Sequence, residues 1–304
     1  MGGYREHPPV ELPISPANGR RSGNGTDRPE GSFAICTLGA DMNRGKLELL
    51  TRLGFAARGL MYIVIGWLAL MAGRSEDAKG ALEYLNDGAS KPLLALMAVG
   101  FLFYGLWRLA NAWVDGDGHG SDPKGKAVRA GGAASGLIHL GFFTYSVRLL
   151  FGDGGGEGGG DSAREGAATA MTLPGGWTLV IAASLCLLVV GGVQLIKAAR
   201  ASFLKHLDSR AAGADWARLS GRIGYASRGI VFLIVAWFIG RAAWHERASE
   251  AGGMDAALAS LPDTFRLVVA FGLMLFGLFS LIEARHRVIA DPARMARQKG
   301  LLGD

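Results

Sequence analysis

Two pairs of arginines, each six residues apart, stand at the start of apolar segments in this sequence. Arg52 and Arg58 enclose Leu-Gly-Phe-Ala-Ala, and Arg222 and Arg228 enclose Ile-Gly-Tyr-Ala-Ser. A guanidinium carries a fixed fork of N–H donors that matches the oxygens of a phosphate or a carboxylate. Only twelve uncharged residues separate Arg228 from Arg241, and they span about 18 Å of helix, less than a membrane core of roughly 30 Å. At least one arginine therefore starts at membrane depth, and its side chain either reaches up to the headgroups or contacts an anion or lipid phosphate inside a helix bundle.

A weaker third copy of this motif begins at Arg129. It continues as Ala-Gly-Gly-Ala-Ala to Ser135, so a serine stands where the other copies have their second arginine. The first arginines of the copies are predicted to form a ring near one membrane surface, and the second positions form an incomplete ring about two turns deeper. The candidate contacts with anions or lipids are Arg52, Arg58, Arg129, Arg222 and Arg228.

Two further polar side chains, His139 and Gln194, fall inside apolar segments. His139 is the tenth of the eighteen residues between Arg129 and Arg148, which places it near the middle of a bilayer. It is either a neutral side chain bonded to a neighbouring helix or a proton-relay group. The other copies of the motif have no ionisable residue at this depth, so a symmetric relay is not predicted.

Glu283 is the acidic member of a second recurring motif, which appears at intervals of 86 residues. Its counterparts are Asn111 and Lys197. An unpaired carboxylate inside a membrane is unfavourable, so we expect Glu283 to contact Arg58 or Arg228.

The sequence contains no pattern typical of an enzyme, a metal site or a cofactor site. Its two cysteines, Cys36 and Cys186, are far apart, and there is no His-x-x-x-His pair. A nucleophile elbow and a phosphate-binding Gly-Lys-Ser/Thr loop are also absent. We therefore predict no catalytic residue, no metal and no cofactor.

Membrane helices must position these residues. Half of the residues are apolar and 19% are charged, a composition that argues against an ordinary soluble domain. Apolar spans of about 20 residues, the length that crosses a bilayer, occur six times. They are approximately 53–73, 92–113, 130–151, 175–196, 224–240 and 267–282. The predicted fold class is an all-α membrane protein with six transmembrane helices.

The distribution of basic residues predicts the orientation. Of the 32 Lys and Arg residues, 24 lie on the side of the bundle that holds both termini. The positive-inside rule then places the N- and C-termini in the cytoplasm. Basic residues at helix ends, with no single basic patch, give no indication of nucleic-acid binding.

The motifs divide the chain into three tandem two-helix repeats. The predicted parts are a disordered cytoplasmic tail (1–49), repeat 1 (50–113), repeat 2 (127–200), repeat 3 (219–287) and a cytoplasmic C-terminal tail (288–304). Each repeat holds an even number of spans, so all three have the same orientation, and a pseudo-threefold axis along the membrane normal is predicted.

Three two-helix units, each opening with Arg-x-Gly-Phe/Tyr-Ala-x-Arg-Gly, resemble the bacterial membrane family catalogued as domain of unknown function 1206. The resemblance covers about residues 50–287, and the middle unit departs from the pattern at Gly132 and Ser135. It implies a six-helix bacterial inner-membrane protein and no particular reaction, substrate or cofactor.

Two functional hypotheses follow. The first is a non-enzymatic scaffold or accessory protein that binds the lipid bilayer, an anionic lipid or a membrane-protein partner. The alternative is a channel or transporter for a small solute or anion along the pseudo-threefold axis. A hollow, polar axis would favour transport, and a packed centre would favour the scaffold.

Overall fold

The computed structural model describes residues 44–71, 75–115, 117–152 and 162–288, and these residues form helices and no β-strand. Most of the two predicted terminal tails lies outside the described residues. All six long helices are long and apolar enough to cross a membrane, which confirms the predicted spans. They are α1 (Arg44–Met71), α2 (Lys91–Val114), α3 (Pro123–Phe151), α4 (Gly176–Arg200), α5 (Asp215–Trp244) and α6 (Asp263–His286).

Short helices fill the connections between the long ones. Ala78–Leu85 follows α1, Ser162–Met171 precedes α4, Ser209–Ala212 precedes α5 and Met254–Ala259 precedes α6. Aspartates cap the starts of helices. Asp77 accepts a hydrogen bond from Gly80 N at the start of the short helix Ala78–Leu85, and Asp122 accepts one from Gly125 N at the start of α3. α1 begins at Arg44, inside the segment predicted as the N-terminal tail.

The long helices pack in the order α3, α2, α1, α6, α5, α4. This order would close into a six-helix ring if α3 and α4 also packed together, but these two form no extensive contact. The start of each odd-numbered helix lies beside the end of an even-numbered one. The helices α2, α4 and α6 all end on the same side of the bundle. We call this side the motif end.

Corresponding glycines hold the three repeats against one another. In each contact, the glycine that ends the motif of an odd-numbered helix meets a glycine of an even-numbered helix from another repeat. The pairs are Gly59 with Gly277, Gly136 with Gly105, and Gly229 with Gly191. A Cβ built on Gly59 would lie 2.7 Å from the Gly277 carbonyl oxygen, so no larger residue fits here without displacing a helix. The pseudo-threefold axis stays a prediction, which these three contacts favour.

In the second hairpin, α3 and α4 do not pack extensively against each other, whereas the two helices of each other hairpin are in contact. We call the second hairpin open and the other two closed. Met61 and Val231, on α1 and α5, are 3% and 0% exposed, but the corresponding Ile138 on α3 is 56% exposed. A Cβ built on Gly131 would meet nothing within 4 Å, whereas one on the corresponding Gly54 would touch α2. We call the space between the facing sides of α3 and α4 the seam.

Aromatic contacts explain why the seam is open. Phe55 and Tyr104 pack edge to face at 5.0 Å in the first hairpin, and Tyr225 and Phe276 do so at 5.2 Å in the third. The corresponding residues of the second hairpin are Gly132 and Val190, which have no rings to join the two helices. Each lost aromatic pair removes about 0.5–1.5 kcal/mol beyond its buried area.

The interior of the bundle is packed with large apolar side chains. Phe55, Phe101, Phe276 and Phe279 are all almost completely inaccessible to solvent.

Candidate functional site

The first arginines of the three motifs bind the ends of neighbouring helices. The last carbonyls of an α-helix have no partner within the helix, and a positive charge near them is favourable. Each arginine donates to such carbonyls in the second helix of another repeat. The acceptors are Ala284 and Arg285 for Arg52, Ala112 and Trp113 for Arg129, and Ala199 for Arg222, with donor–acceptor distances of 2.5–3.1 Å. A lipid contact for these three residues stays a prediction.

Arg58 is held inside the bundle by an ion pair with Glu283. Its Nη2 lies 2.5 Å from Glu283 Oε2, and its Nη1 donates to the Tyr104 hydroxyl at 2.9 Å. The predicted contact of Glu283 is therefore confirmed, with Arg58 as its partner. It joins α1 of the first repeat to α6 of the third.

A residue not singled out from the sequence completes this ion pair. Arg287 donates from Nη1 to Glu283 Oε1 at 2.8 Å, so the carboxylate is shared between two guanidinium groups. Glu283 is 2% exposed. The spacing of four residues between Glu283 and Arg287 was a signal that could have identified this pair.

Arg228 does not contact Glu283. Its Nε donates to the Tyr62 hydroxyl at 2.9 Å, and its guanidinium lies over the rings of Phe232 and Phe276 at 4.7 and 4.9 Å. Its two Nη groups have no hydrogen-bond partner in the described part of the chain. The ring contacts and the Nε hydrogen bond therefore hold the Arg228 side chain in place, and its two Nη groups remain available to bind an acceptor.

Two more cations reach the same region from α2 and α4. Arg108 has a buried Nε without a partner among the described residues. Lys197 lies with its Nζ 6.0 Å from the centre of the Tyr225 ring, within electrostatic range of Arg108 and Arg228. The sequence placed Arg108 and Lys197 in the recurring motif but did not indicate that they converge.

His139 and Gln194 are the buried neutral groups near these cations. His139 Nδ1 lies 2.7 Å from the Ser135 carbonyl oxygen, and the ring centre is 4.5 Å from that of Tyr104. Its Nε2 is buried and has no partner within the described ranges. Gln194 is 5% exposed and makes no hydrogen bond to the described residues. His139 belongs to α3 and packs against Phe101 and Tyr104 of α2, and Gln194 belongs to α4.

We define the central cluster as the charged residues Arg58, Arg108, Lys197, Arg228, Glu283 and Arg287. It has five cations and one carboxylate, and that carboxylate already binds Arg58 and Arg287. The other three cations have no acidic partner in the part of the chain that is described. Unbalanced positive charge at this depth is unfavourable, and it favours the binding of an anion.

A cavity lies on the seam-facing side of α3, towards the end of the bundle opposite the motif end. It has a volume of about 480 Å³, and Ile138, Phe142 and Tyr145 contribute its α3 wall. Lys79 and Arg148 also line it, and no residue of α4 does. The cavity therefore lies on the side of α3 that a closed second hairpin would cover.

A short segment before α5 covers part of the motif end. Phe203 stacks on Tyr225 with the ring centres 5.1 Å apart, and Leu207 forms an antiparallel bridge with Arg287. Burial lowers the pKa of His206 to about 4, and the nearby Arg287 acts in the same direction. The Ala211 N–H and His286 lower the pKa of Asp208, which caps Ser209–Ala212.

The described residues contain no group of three His, Cys, Asp or Glu side chains that could hold a metal ion.

Comparisons with known proteins agree with this architecture. The family described as Domain of Unknown Function (DUF1206) matches the chain three times, at residues 53–115, 130–201 and 223–287. The chain is also 29% identical over 249 residues to the "Uncharacterized protein YxxB" of Bacillus subtilis (strain 168), covering 78% of this chain and 90% of the relative. No solved structure matches the chain. The chain therefore belongs to the DUF1206 family and carries three copies of its domain.

Proposed function

We propose that this multi-pass membrane protein is a non-enzymatic binding protein that holds a membrane lipid in the open seam of its second hairpin. The observation that carries the proposal is the exposure of the seam. Ile138 is 56% exposed at a position where the other two hairpins bury their residue almost completely. An apolar surface that faces the bilayer and leads into the bundle is suited to an acyl chain.

The apolar character of the seam supports a lipid as its occupant. Ala134 and Ile138 on α3 face it, as do Ala183, Cys186 and Val190 on α4, and all five are exposed. The α3 wall of the cavity, with Ile138, Phe142 and Tyr145, continues this surface towards the opposite end of the bundle, where Lys79 and Arg148 also line the cavity. An acyl chain that lies there would cover the surfaces that direct helix contact covers in the other hairpins.

The transport hypothesis has less support. The interior is filled by Phe101, Phe276 and other large side chains, and Arg58 lies in the packed region with its charge paired to Glu283. A packed interior favours a binding protein over a channel along the axis. We also propose the inner membrane of a bacterium as the location, with both termini in the cytoplasm, because of the excess of basic residues on that side.

The test is the number of lipids that remain bound to the purified protein. Ile138→Trp places an indole in the seam, and Leu137→Trp is the matched control. Leu137 is 62% exposed and adjacent to Ile138, but it corresponds to Leu60 and Ile230, which are not buried in the closed hairpins. Lipids would be counted by native mass spectrometry after extraction in a mild detergent.

We expect Ile138→Trp to carry at least one lipid fewer than the unmodified protein and Leu137→Trp to carry the same number. Equal lipid counts in all three proteins would contradict the proposal. A second copy of the chain in the seam would instead give a dimer that Ile138→Trp dissociates, and this result would also contradict it.

A further inference from the structure

We propose that the motif end of the seam holds an anionic phospholipid headgroup, whose phosphate contacts Arg228, Arg108 and Lys197. This inference rests on the proposed function and names the class of lipid. It starts from donors that have no acceptor: the Nη groups of Arg228 and the Nε of Arg108, among the described residues. The Arg108 Nε is buried, and buried donors nearly always have a partner in folded proteins, so this group indicates a missing acceptor. The Nη groups of Arg228 are accessible and can donate to the same acceptor.

Charge identifies the acceptor as an anion. Glu283 is occupied by Arg58 and Arg287, so it does not neutralise Arg108, Arg228 and Lys197. A guanidinium binds phosphate oxygens through two parallel N–H donors, and an ammonium contributes a compact point charge. Arg228 and Lys197 together provide both kinds of contact to a phosphate.

The depth of these residues matches a lipid phosphate. Lys197 lies three residues before the end of α4, and Arg108 lies six residues before the end of α2. With a rise of about 1.5 Å per residue, these positions are about 5 and 9 Å inside the helix ends. The long side chains of Lys and Arg can reach the headgroup layer from this depth. A headgroup there leaves the acyl chains at the level of the exposed seam.

Two buried neutral groups beside the cations add further capacity for hydrogen bonding. The Ser135 carbonyl accepts from His139 Nδ1–H, so Nε2 of the neutral ring is an unused acceptor among the described residues. Gln194 offers both an amide donor and an acceptor, and it is 95% buried at 5% exposure. A hydroxyl-bearing headgroup would satisfy both side chains.

The test compares lipids that share their acyl chains and differ in headgroup. The full-length protein is delipidated in a neutral detergent and titrated with phosphatidylglycerol or with phosphatidylcholine, and native mass spectrometry measures both dissociation constants. We expect phosphatidylglycerol to bind about tenfold more tightly. Both lipids carry the phosphate, but the choline cation of phosphatidylcholine is repelled by the central cluster and has no hydroxyl to bind His139 or Gln194. Inorganic phosphate at 10 mM should not compete.

Variants locate the headgroup. Arg228→Gln and Lys197→Gln should each lower the preference for phosphatidylglycerol to about threefold or less, because losing a cation weakens the binding of the anionic lipid more than that of the zwitterionic phosphatidylcholine. The matched control is Arg241→Gln, which removes the same charge from the other end of α5, where Arg241 pairs with Glu250. This control should keep the full preference, and melting temperatures confirm that each variant is folded.

The outcomes separate this inference from the proposed function. Equal affinity for the two lipids, or a preference that the variants do not change, overturns the headgroup site and leaves the lipid-binding seam intact. Competition by inorganic phosphate shows that the site takes a free anion and overturns the lipid assignment. Failure of both lipids to bind contradicts the proposed function itself.

Discussion

Arg58 of the first repeat and Glu283 of the third repeat form a buried ion pair, with 2.5 Å between Nη2 and Oε2. The two residues are 225 positions apart in sequence, and their contact fixes α1 against α6. Arg287 binds the second carboxylate oxygen, so both oxygens of Glu283 have a cationic partner. The pair therefore joins the first repeat to the third through α1 and α6, which are neighbours in the middle of the packing order.

Removing one member of this pair should destabilise the protein strongly. We expect Glu283→Gln to lower the free energy of unfolding by about 3 kcal/mol, because two buried guanidinium groups lose their counter-charge. Arg58→Gln should cost a similar amount, and the double variant should lose clearly less than the sum. Melting in detergent measures all three. Arg228→Gln is the control, since it does not touch Glu283 and its effect should add to that of Glu283→Gln. Additive losses for Arg58 and Glu283 would contradict the coupling.

The glycine contacts between repeats should tolerate no added methyl group. Gly59→Ala places a Cβ 2.7 Å from the Gly277 carbonyl oxygen, and we expect a loss of about 1–3 kcal/mol in stability from overpacking. Gly131→Ala is the matched control, because nothing lies within 4 Å of the added Cβ. That variant should be neutral or slightly more stable, as alanine is the better helix former. Equal effects of the two substitutions would mean that α1 and α6 do not approach as described.

Stability should fall as the pH falls from about 6.5 towards 4, because His206 stays neutral in the folded protein, where its pKa is about 4. The unfolded chain takes up a proton near the ordinary pKa of 6.5, so protonation favours unfolding throughout this window. We expect His206→Asn to lose less melting temperature than the unmodified protein between pH 7 and pH 5. Asp208→Ala removes a cap and should lower the melting temperature without changing this slope. An unchanged slope in His206→Asn would show that His206 is not the titrating group.

The excess of basic residues predicts that the motif end faces the cytoplasm. Ser209→Cys lies at the motif end and Arg247→Cys at the opposite end, and both positions are exposed. With the native cysteines replaced, a membrane-impermeant maleimide added to intact cells should label Arg247→Cys and leave Ser209→Cys unlabelled until the cells are opened. The reverse pattern would contradict the orientation.

Much of the fold follows from the sequence because its signals are local and repeated. Six apolar spans and two recurring motifs predict the helices and the three repeats. The need to pair a buried carboxylate predicts that Glu283 contacts Arg58 or Arg228, and the structure shows Arg58 as the partner. The helix-end contacts of Arg52, Arg129 and Arg222 were not predicted. They depend on which helix ends beside each arginine, and this is a property of the packing order.

The open seam could not be predicted from the sequence. Gly132 and Ser135 depart visibly from the motif, but a missing contact does not show where α4 packs instead. The convergence of Arg108, Lys197 and Arg228 also depends on how α2, α4 and α5 pack together. The sequence indicates only that Arg108 and Lys197 belong to corresponding helices.

Disulfide trapping across the seam tests its openness, on which the proposed function depends. In the first hairpin, a Cβ built on Gly100 would lie 2.8 Å from the Ala57 Cβ, so these positions touch when a hairpin is closed. The corresponding residues of the second hairpin are Ala134 and Cys186, and Cys186 is exposed with a free thiol. Ala134→Cys in a Cys36→Ser background therefore creates a cysteine pair that can join only in a closed seam.

The control pair is Ser184→Cys with Gly240→Cys in a background without native cysteines. A Cβ on Gly240 would lie 3.8 Å from the Ser184 Cβ, which is the separation that a disulfide needs. Both proteins would be oxidised in their native membranes and compared by the fraction cross-linked. We expect the control pair to form its disulfide and the Ala134→Cys protein to remain reduced at Cys186. Cross-linking of Ala134→Cys to Cys186 to the same extent as the control would show that the second hairpin is closed, which contradicts the lipid-binding seam.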